Sequence, residues 1–278
     1  MTERLALKTD PSETTREIRI NENLICGGQT LWITAGPCAV EGLTQLEAVT
    51  QALLRHGVTS LRGGAFKPRT SPYSFQGMAE EGLAMLDAMR KAHGVCVVTE
   101  VMAISQIEAI AAHADVLQVG SRNMQNFDLL KALGKINKPV LLKRGLSATL
   151  DEFLWSAEYI LAGGNPNVIL CERGIRSYDP ETRNVLDLGG VAVLKEKSPL
   201  PVIVDPSHAA GRRDIIPALV RAAIAVGADG IILEIHPNPA KSVSDANQAL
   251  SFDHFAEVMA DVNTMASAMK RSVAAPVS

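Results

Sequence analysis

PVIVDPSHAAGRRDIIPALVRAAIAVGADGIILE, residues 201–234, holds the repeating unit of the fold. Two short runs rich in Val, Ile and Leu, PVIVDP (201–206) and DGIILE (229–234), flank an amphipathic stretch of helical period. Neither run alternates apolar with polar residues, as a strand with one wet face would. Nearly continuous apolar strands are what a parallel sheet buried on both faces requires.

The unit recurs along the chain. LWITAG (31–36), TSLRG (59–63), VCVVTE (95–100), DVLQVG (115–120), PVLLKR (139–144) and NVILCE (167–172) bring the strands to eight. Helical stretches fill the gaps. Three of them open on a capping-box pattern: Thr44 with Glu47, Ser105 with Glu108, and Thr149 with Glu152. In that pattern a hydroxyl and a carboxylate satisfy the free N–H groups of a first turn. Eight β and eight α units in about 250 residues predict an α/β fold, a single (β/α)8 TIM barrel. The alternative is an open doubly wound sheet, but no G-x-G-x-x-G follows the first strand and no P-loop is present.

Residues 1–17 are polar and are expected to form a flexible N-terminus. IRINENLICGG (18–28) reads as a short β-hairpin turning at Asn21-Glu22-Asn23 and capping the barrel bottom. The catalytic barrel is assigned to 29–265 and a frayed C-terminal tail to 266–278.

Composition narrows the function. A hydrophobic share of 47% supports a large core, and a net charge of -3 suggests neither a nucleic-acid nor an anionic-membrane partner. The four cysteines, Cys26, Cys38, Cys96 and Cys171, form no CxxC pair. With no apolar leader and no membrane-length apolar run, a soluble cytoplasmic protein is expected.

In a (β/α)8 barrel the chemistry collects at the C-terminal ends of the strands. Strand two ends in Arg62, and the loop KPRTSPYSFQG (67–77) that follows holds two cations, two prolines and no acid. Glu100 ends strand three, Ser121 and Arg122 follow strand four, Lys143-Arg144 end strand five and Glu172-Arg173 end strand six. Seven cations aimed at one cleft (Arg62, Lys67, Arg69, Arg122, Lys143, Arg173 and Arg176) repel one another unless anions neutralise them. One phosphate takes two or three donors, so the count suggests two or more anionic groups.

The remaining ends carry metal-capable groups: Cys38 after strand one, His208 after strand seven, Glu234 ending strand eight. Closure makes strand eight the neighbour of strand one, and Asp245 in SVSDANQ can fold back onto them. A lone cysteine is ordinarily a small core residue and a lone histidine ordinarily structural; the weight lies in their convergence. A thiolate, imidazole and carboxylate set suits one divalent ion such as Mn²⁺, Fe²⁺, Co²⁺ or Zn²⁺.

GPCAVE, LRGGAFKPRTSPYSFQG, VGSRNMQN, LLKRG, ILCERG, DPSHAAG and EIHPNP, followed by SDANQ, resemble the 3-deoxy-D-arabino-heptulosonate 7-phosphate (DAHP) synthases. The resemblance is to the short type I form grouped with 3-deoxy-D-manno-octulosonate 8-phosphate synthase, and it covers residues 18–262 in order. It implies a (β/α)8 barrel and condensation of phosphoenolpyruvate with erythrose 4-phosphate, the first step of the shikimate pathway. By the same resemblance the metal ligands are Cys38, His208, Glu234 and Asp245. Phosphoenolpyruvate falls to Arg62, Lys67, Arg122, Lys143 and Arg173, with Ser121 beside them; erythrose 4-phosphate falls to Lys67, Pro68, Arg69, Thr70 and Ser71. The prolines fix φ and lower the entropy lost when such a loop closes on an anion. Lys67, Lys143, Cys38 and His208 form the catalytic set, with Lys143 the candidate proton donor and Glu100 or Asp245 orienting water or the metal shell.

The sister enzymes use arabinose 5-phosphate and carry loops like KANRSS and DPTH, so KPRTSP and DPSH point to the four-carbon sugar. A non-catalytic sugar-phosphate-binding barrel is the reading from another class; such a relic would have lost ligands. Longer relatives add a regulatory domain for which the 17 residues ahead of the hairpin leave no room. Weak or absent feedback inhibition by single aromatic amino acids is therefore expected, in a homodimer or homotetramer.

Overall fold

The computed structural model describes residues 4–67, 71 and 73–274. A hairpin of β1 (Ile18–Asn21) and β2 (Leu24–Cys26) precedes β3 (Thr30–Gly36), β4 (Ser60–Arg62), β5 (Cys96–Val101) and β6 (Val116–Val119). β7 (Val140–Lys143), β8 (Val168–Glu172), β9 (Val202–Val204) and β10 (Gly230–Glu234) complete the eight expected strands. Each pairs in parallel with the next, and β10 pairs with β3 from Gly230↔Trp32 to Glu234↔Gly36. That last pairing closes the sheet into the (β/α)8 barrel.

The crossovers are helical. α1 (Leu43–Leu54), α2 (Ala79–His93), α3 (Ile107–His113), α4 (Phe127–Leu133), α5 (Leu150–Ala162) and α6 (Leu188–Lys197) surround the first six barrel strands. A short turn of helix, α7 (Pro206–Ala210), follows β9 ahead of α8 (Ile216–Ala225), and α9 (Phe252–Ala268) follows β10. Among the described residues no helix is long and apolar enough to cross a membrane.

Strand side chains alternate between faces, and this parity sorts the core into two layers. Leu31, Ile33, Leu117, Val140, Leu142, Val202, Val204, Ile231 and Leu233 join the cluster between sheet and helices. Trp32, Cys96, Val98, Val116, Leu141, Ile169, Cys171, Ile203 and Ile232 fill the barrel, together with Ile18, Ile20, Leu24 and Cys26 of the hairpin. The hairpin thus caps the N-terminal mouth as expected, with its turn at Glu22-Asn23. Cys26, Cys96 and Cys171 are buried free thiols of that inner layer.

Of the three expected capping boxes one forms and two differ. Thr149 and Glu152 form their capping box, with Thr149 N donating to Glu152 Oε2 at 2.8 Å and Glu152 N to Thr149 Oγ1 at 3.2 Å. α1 instead starts at Leu43 behind Gly42, so Thr44 lies inside it, and Gln45 reaches back to accept the Glu41 N–H at 3.0 Å. Ser105 falls in a 3₁₀ turn (Ile104–Gln106), where Gln106 Oε1 accepts the Met102 and Ala103 N–H groups. In both cases a glutamine takes the capping role.

The described parts of the expected loose ends are held. Leu5 N and Ala6 N donate to the Glu158 carboxylate at 2.9 and 2.8 Å, Arg4 stacks 3.7 Å over the Trp155 ring, and Ser198 Oγ donates to Ala6 O at 2.7 Å. At the other end α9 runs through the expected barrel boundary, and β11 (Ser272–Val273) pairs with Thr30–Leu31 of β3. Polar composition predicted freedom; satisfied backbone groups and a fully buried Ala6 oppose it.

Candidate active site

Inward parity at the C-terminal end of the barrel assigns the cleft residues. Glu100 lies on β5, Gln118 on β6, Lys143 ends β7, Asp205 follows β9 and Glu234 ends β10, each in step with an inner-layer residue of its strand, and Arg62 ends β4 out of step with the outer-layer Leu61. Above them opens a cavity of about 480 Å³ lined by Arg62, Lys67, Ser71, Glu100, Ser121, Arg122, Lys143, Arg173, His208 and Asp245, all expected site residues. Cys38 and Glu234 lie buried against its floor. Pro68, Arg69 and Thr70 lie outside the described residues.

Barrel closure assembles the metal-capable set. One donor atom each from Cys38, His208, Glu234 and Asp245 falls within 4.8 Å of the others. Cys38 follows β3 by two residues, and Glu234 pairs with Gly36 at the end of β3. His208 sits in α7, whose first turn is capped by Asp205 Oδ1 accepting the His208 N–H at 2.9 Å. Asp245 adopts a left-handed φ of 53°, which aspartate tolerates better than most side chains. Its loop is tied back to β10 where Leu250 N donates to Glu234 O at 2.8 Å and His236 N to Leu250 O at 2.9 Å. Glu41 braces the same loop, meeting His236 Nε2 at 3.3 Å and accepting the Val243 N–H at 3.1 Å. His236 is thus a structural histidine, and His208 is the one that turns toward the set.

The donors fit a cation. His208 presents Nε2 to Glu234 Oε1 at 3.2 Å while its Nδ1 meets Asp205 Oδ2 at 2.7 Å. A carboxylate behind an imidazole in this way fixes the tautomer and orients the other nitrogen. Burial pushes the Cys38 thiol up to about 12, with Glu234 adding to the rise against Lys67. Burial would also raise the Glu234 and Asp245 carboxyls, but His208 foremost, with Arg62 at Glu234, holds both below the usual carboxylate range. Two carboxylates beside a thiol make a site for a divalent ion that accepts mixed S, N and O ligands.

Cations press directly against this set. Arg62 Nη1 donates to Glu234 Oε1 at 3.1 Å and to Pro37 O at 2.8 Å. Lys67 Nζ leans on Cys38, reaching its carbonyl at 2.8 Å and its sulfur at 3.1 Å. The acid-free loop begins there, its neck closed by Lys67 N donating to Gln76 O at 3.0 Å. Arg62 Nε and Arg173 Nη1 are buried with no hydrogen-bond partner among the described residues. A buried guanidinium N–H left unpaired costs about 1–3 kcal/mol.

Parity also separates neighbours. Lys143 and Arg173 line the cavity, whereas Arg144 and Glu172 point behind the wall and pair with each other at 2.9 Å. Ser207 of DPSH, read as a marker of sugar choice, is buried away from the cavity and accepts the Glu234 N–H at 3.0 Å. Asp205, Arg183 and Asn184 were not among the expected site residues. Inward parity after Ile203 would have found Asp205. Arg183 reaches Asp245 Oδ1 at 3.0 Å only because Ile175 pairs with Val185 and folds its loop over the cleft, and no local pattern announces that.

Residues 13–271 match the DAHP synthetase I family. Phospho-2-dehydro-3-deoxyheptonate aldolase of Thermotoga maritima is 52% identical over 237 residues, 85% of this chain and 70% of its own. 2-Dehydro-3-deoxyphosphooctonate aldolase of Xanthomonas euvesicatoria pv. vesicatoria is 32% identical over 251 residues, 83% of this chain and 89% of its own. The crystal structure of the Thermotoga maritima DAHP synthase superposes with a TM-score of 0.91 at 47% identity, over 94% of this chain and 76% of that one. A truncated form of 3-deoxy-D-arabino-heptulosonate 7-phosphate synthase from the same organism gives 0.90 at 44% identity, over 97% and 98%. With the family matched across almost the whole barrel, the chain belongs to the DAHP synthetase I family.

Proposed function

We infer that this chain condenses phosphoenolpyruvate with erythrose 4-phosphate and water, giving 3-deoxy-D-arabino-heptulosonate 7-phosphate and inorganic phosphate, the entry reaction of the shikimate pathway. One observation carries the reading: the cavity lined by Arg62 and Arg173, each with a buried guanidinium N–H unpaired among the described residues, is lined as well by His208 and Asp245 of the Cys38–His208–Glu234–Asp245 set. Anion recognition and metal-ligand chemistry meet there, as the joining of two phosphorylated substrates requires.

Arg62, Lys67, Arg122, Lys143 and Arg173 hold the carboxylate and phosphate of phosphoenolpyruvate, Arg62 and Arg173 by bidentate donation. Lys67, Ser71 and the intervening Pro68, Arg69 and Thr70 take the sugar phosphate. Cys38, His208, Glu234 and Asp245 hold one divalent ion, Mn²⁺, Fe²⁺, Co²⁺ or Zn²⁺. When bound, that ion supplies Lewis-acid polarisation of the aldehyde oxygen.

A C–C bond forms between C3 of phosphoenolpyruvate and the aldehyde carbon, and the aldehyde oxygen takes a proton from Lys143. Water adds at C2, left electron-deficient when the C2=C3 π pair forms that bond, and its proton returns to Lys143; Glu100, whose Oε2 accepts Gln118 Nε2 at 3.2 Å, orients the water. The C2–O bond to phosphate then breaks and phosphate leaves. The setting is a homodimer or homotetramer in the cytoplasm.

The test is phosphate release from phosphoenolpyruvate with erythrose 4-phosphate or arabinose 5-phosphate, each with and without EDTA. Release with erythrose 4-phosphate, abolished by EDTA and restored by Mn²⁺, is expected. Release with arabinose 5-phosphate alone would reassign the sugar to the octulosonate branch. Release with neither, from folded and metal-loaded protein, would leave a sugar-phosphate-binding barrel.

A further inference from the structure

Asp205 joins Lys143 of the anion cavity to His208 of the metal-capable set, beside the direct Arg62–Glu234 and Lys67–Cys38 contacts. Its Oδ2 receives Lys143 Nζ at 2.5 Å and His208 Nδ1 at 2.7 Å, so one oxygen serves both donors. The carboxylate is 1% exposed, which removes solvent as a substitute partner for either. The two donors have different tasks: Lys143 lines the anion cavity, and His208 turns its other nitrogen to the Cys38–Glu234–Asp245 group.

We propose that Asp205 is a positioning residue that couples the anion pocket to the metal set, so that filling either one favours filling the other. The proposal rests on the functional reading above. An imidazole that gives its Nε2 lone pair to a cation becomes a stronger donor through Nδ1–H, and the carboxylate behind it raises its basicity as a ligand. The shared oxygen then moves its strongest hydrogen bond from Lys143 to His208. Lys143 is freed toward a substrate anion. In the other direction, an anion that engages Lys143 leaves Asp205 wholly to His208. Linkage requires the two effects to be equal in free energy.

The experiment is a double-mutant cycle on Mn²⁺ affinity, read by calorimetry on the full-length, metal-stripped chain. Asp205→Asn is expected to weaken Mn²⁺ binding by about 10–100-fold, the usual loss behind a metal-bound histidine. Lys143→Met is expected to tighten Mn²⁺ binding by about fivefold in the wild-type background, the worth of one freed hydrogen bond. In the Asp205→Asn background the same Lys143→Met change is expected to do nothing. Equal tightening in both backgrounds would mean plain charge repulsion between Lys143 and the ion, and overturns the proposal; so does no change in either.

A second arm measures phosphoenolpyruvate affinity with and without Mn²⁺. The ratio is expected to shrink in Asp205→Asn, and an unchanged ratio counts against the coupling. If Asp205→Asn does not fold, Asp205→Ser replaces it, since serine keeps an oxygen for the α7 cap but is too short to bridge Lys143 and His208. Wild-type protein that takes up neither Mn²⁺ nor phosphoenolpyruvate overturns the functional reading and this proposal with it. Intact binding of both without coupling overturns the proposal alone.

Discussion

Arg144 and Glu172 are sequence neighbours of two cleft residues, yet they face away from the cleft and hold each other, Arg144 Nη1 lying 2.9 Å from Glu172 Oε2. The same guanidinium reaches Asp187 at 2.8 Å and Ala148 O at 3.0 Å, while Glu172 Oε1 accepts the Gly174 N–H at 2.6 Å. The pair therefore clamps the segment that carries Arg173 and Arg176 to the loop after β7. Breaking a buried pair from one side leaves a charge unpaired and costs about 3–5 kcal/mol. Arg144→Met is expected to lower the melting temperature by that worth. Arg122→Ala, an exposed change, is expected to stay within about 0.5 kcal/mol of wild type while weakening phosphoenolpyruvate binding. Denaturant melts of both variants check the contrast, and equal destabilisation would remove the division between wall and cleft.

Cys38→Ala is expected to separate metal from substrate. Turnover should fall by at least about 100-fold, since a Lewis acid is worth several kcal/mol of barrier. Phosphoenolpyruvate affinity should equal that of wild-type protein stripped with EDTA. Wild-type turnover with metal still bound would show that the sulfur is no ligand.

Metal uptake should depend on pH in a fixed direction. The Cys38 thiol, pushed up to about 12 chiefly by burial, is protonated in the metal-free protein throughout the working range. A thiolate ligand must lose that proton on binding. The proton is held by the free state and not by the loaded one, so raising the pH favours loading. Apparent Mn²⁺ affinity is expected to rise about tenfold per unit between about pH 7 and 9, with one proton released per site in calorimetry across several buffers. In Cys38→Asp, whose carboxylate carries no proton there, the slope should flatten.

Gly64 allows Lys67 and Cys38 to meet. A Cβ there would lie 2.7 Å from Lys67 Cδ and 2.8 Å from the Cys38 carbonyl oxygen, which belongs to the backbone and cannot swing aside. Gly64→Ala is expected to cost about 1–3 kcal/mol of stability through overpacking. It should cost about 100-fold in turnover, the scale of a small misplacement of catalytic groups. Steady-state rates beside a melting curve separate the two effects; wild-type rates would mean that the Lys67–Cys38 approach is not needed.

Much of this molecule is local and was legible in the sequence. An apolar strand buried on both faces carries its signature in its own residues, and side-chain alternation follows from backbone geometry. That is why the eight strands and the inward-facing Arg62, Lys143 and Glu234 could be read without coordinates. The same rule, applied one step further, would have found Asp205 and set Arg144 and Glu172 apart from their neighbours. Capping was less legible: Gln45 and Gln106 displaced the hydroxyls because the chain enters those turns at a different residue.

Tertiary structure decided what depends on remote segments meeting. Cys38 and Asp245, 207 positions apart, come within 3.0 Å because β10 pairs with β3 and the loop after β10 is pinned back over it. Arg183 enters the cleft through pairing inside its own long loop, and the N-terminal segment docks because Glu158 on α5 accepts its free N–H groups. Periodicity reports which face of a strand or helix is buried, because that energy is set residue by residue. Which groups then share one oxygen, as Lys143 and His208 share Asp205, is set by closure of the barrel, a property of the whole chain.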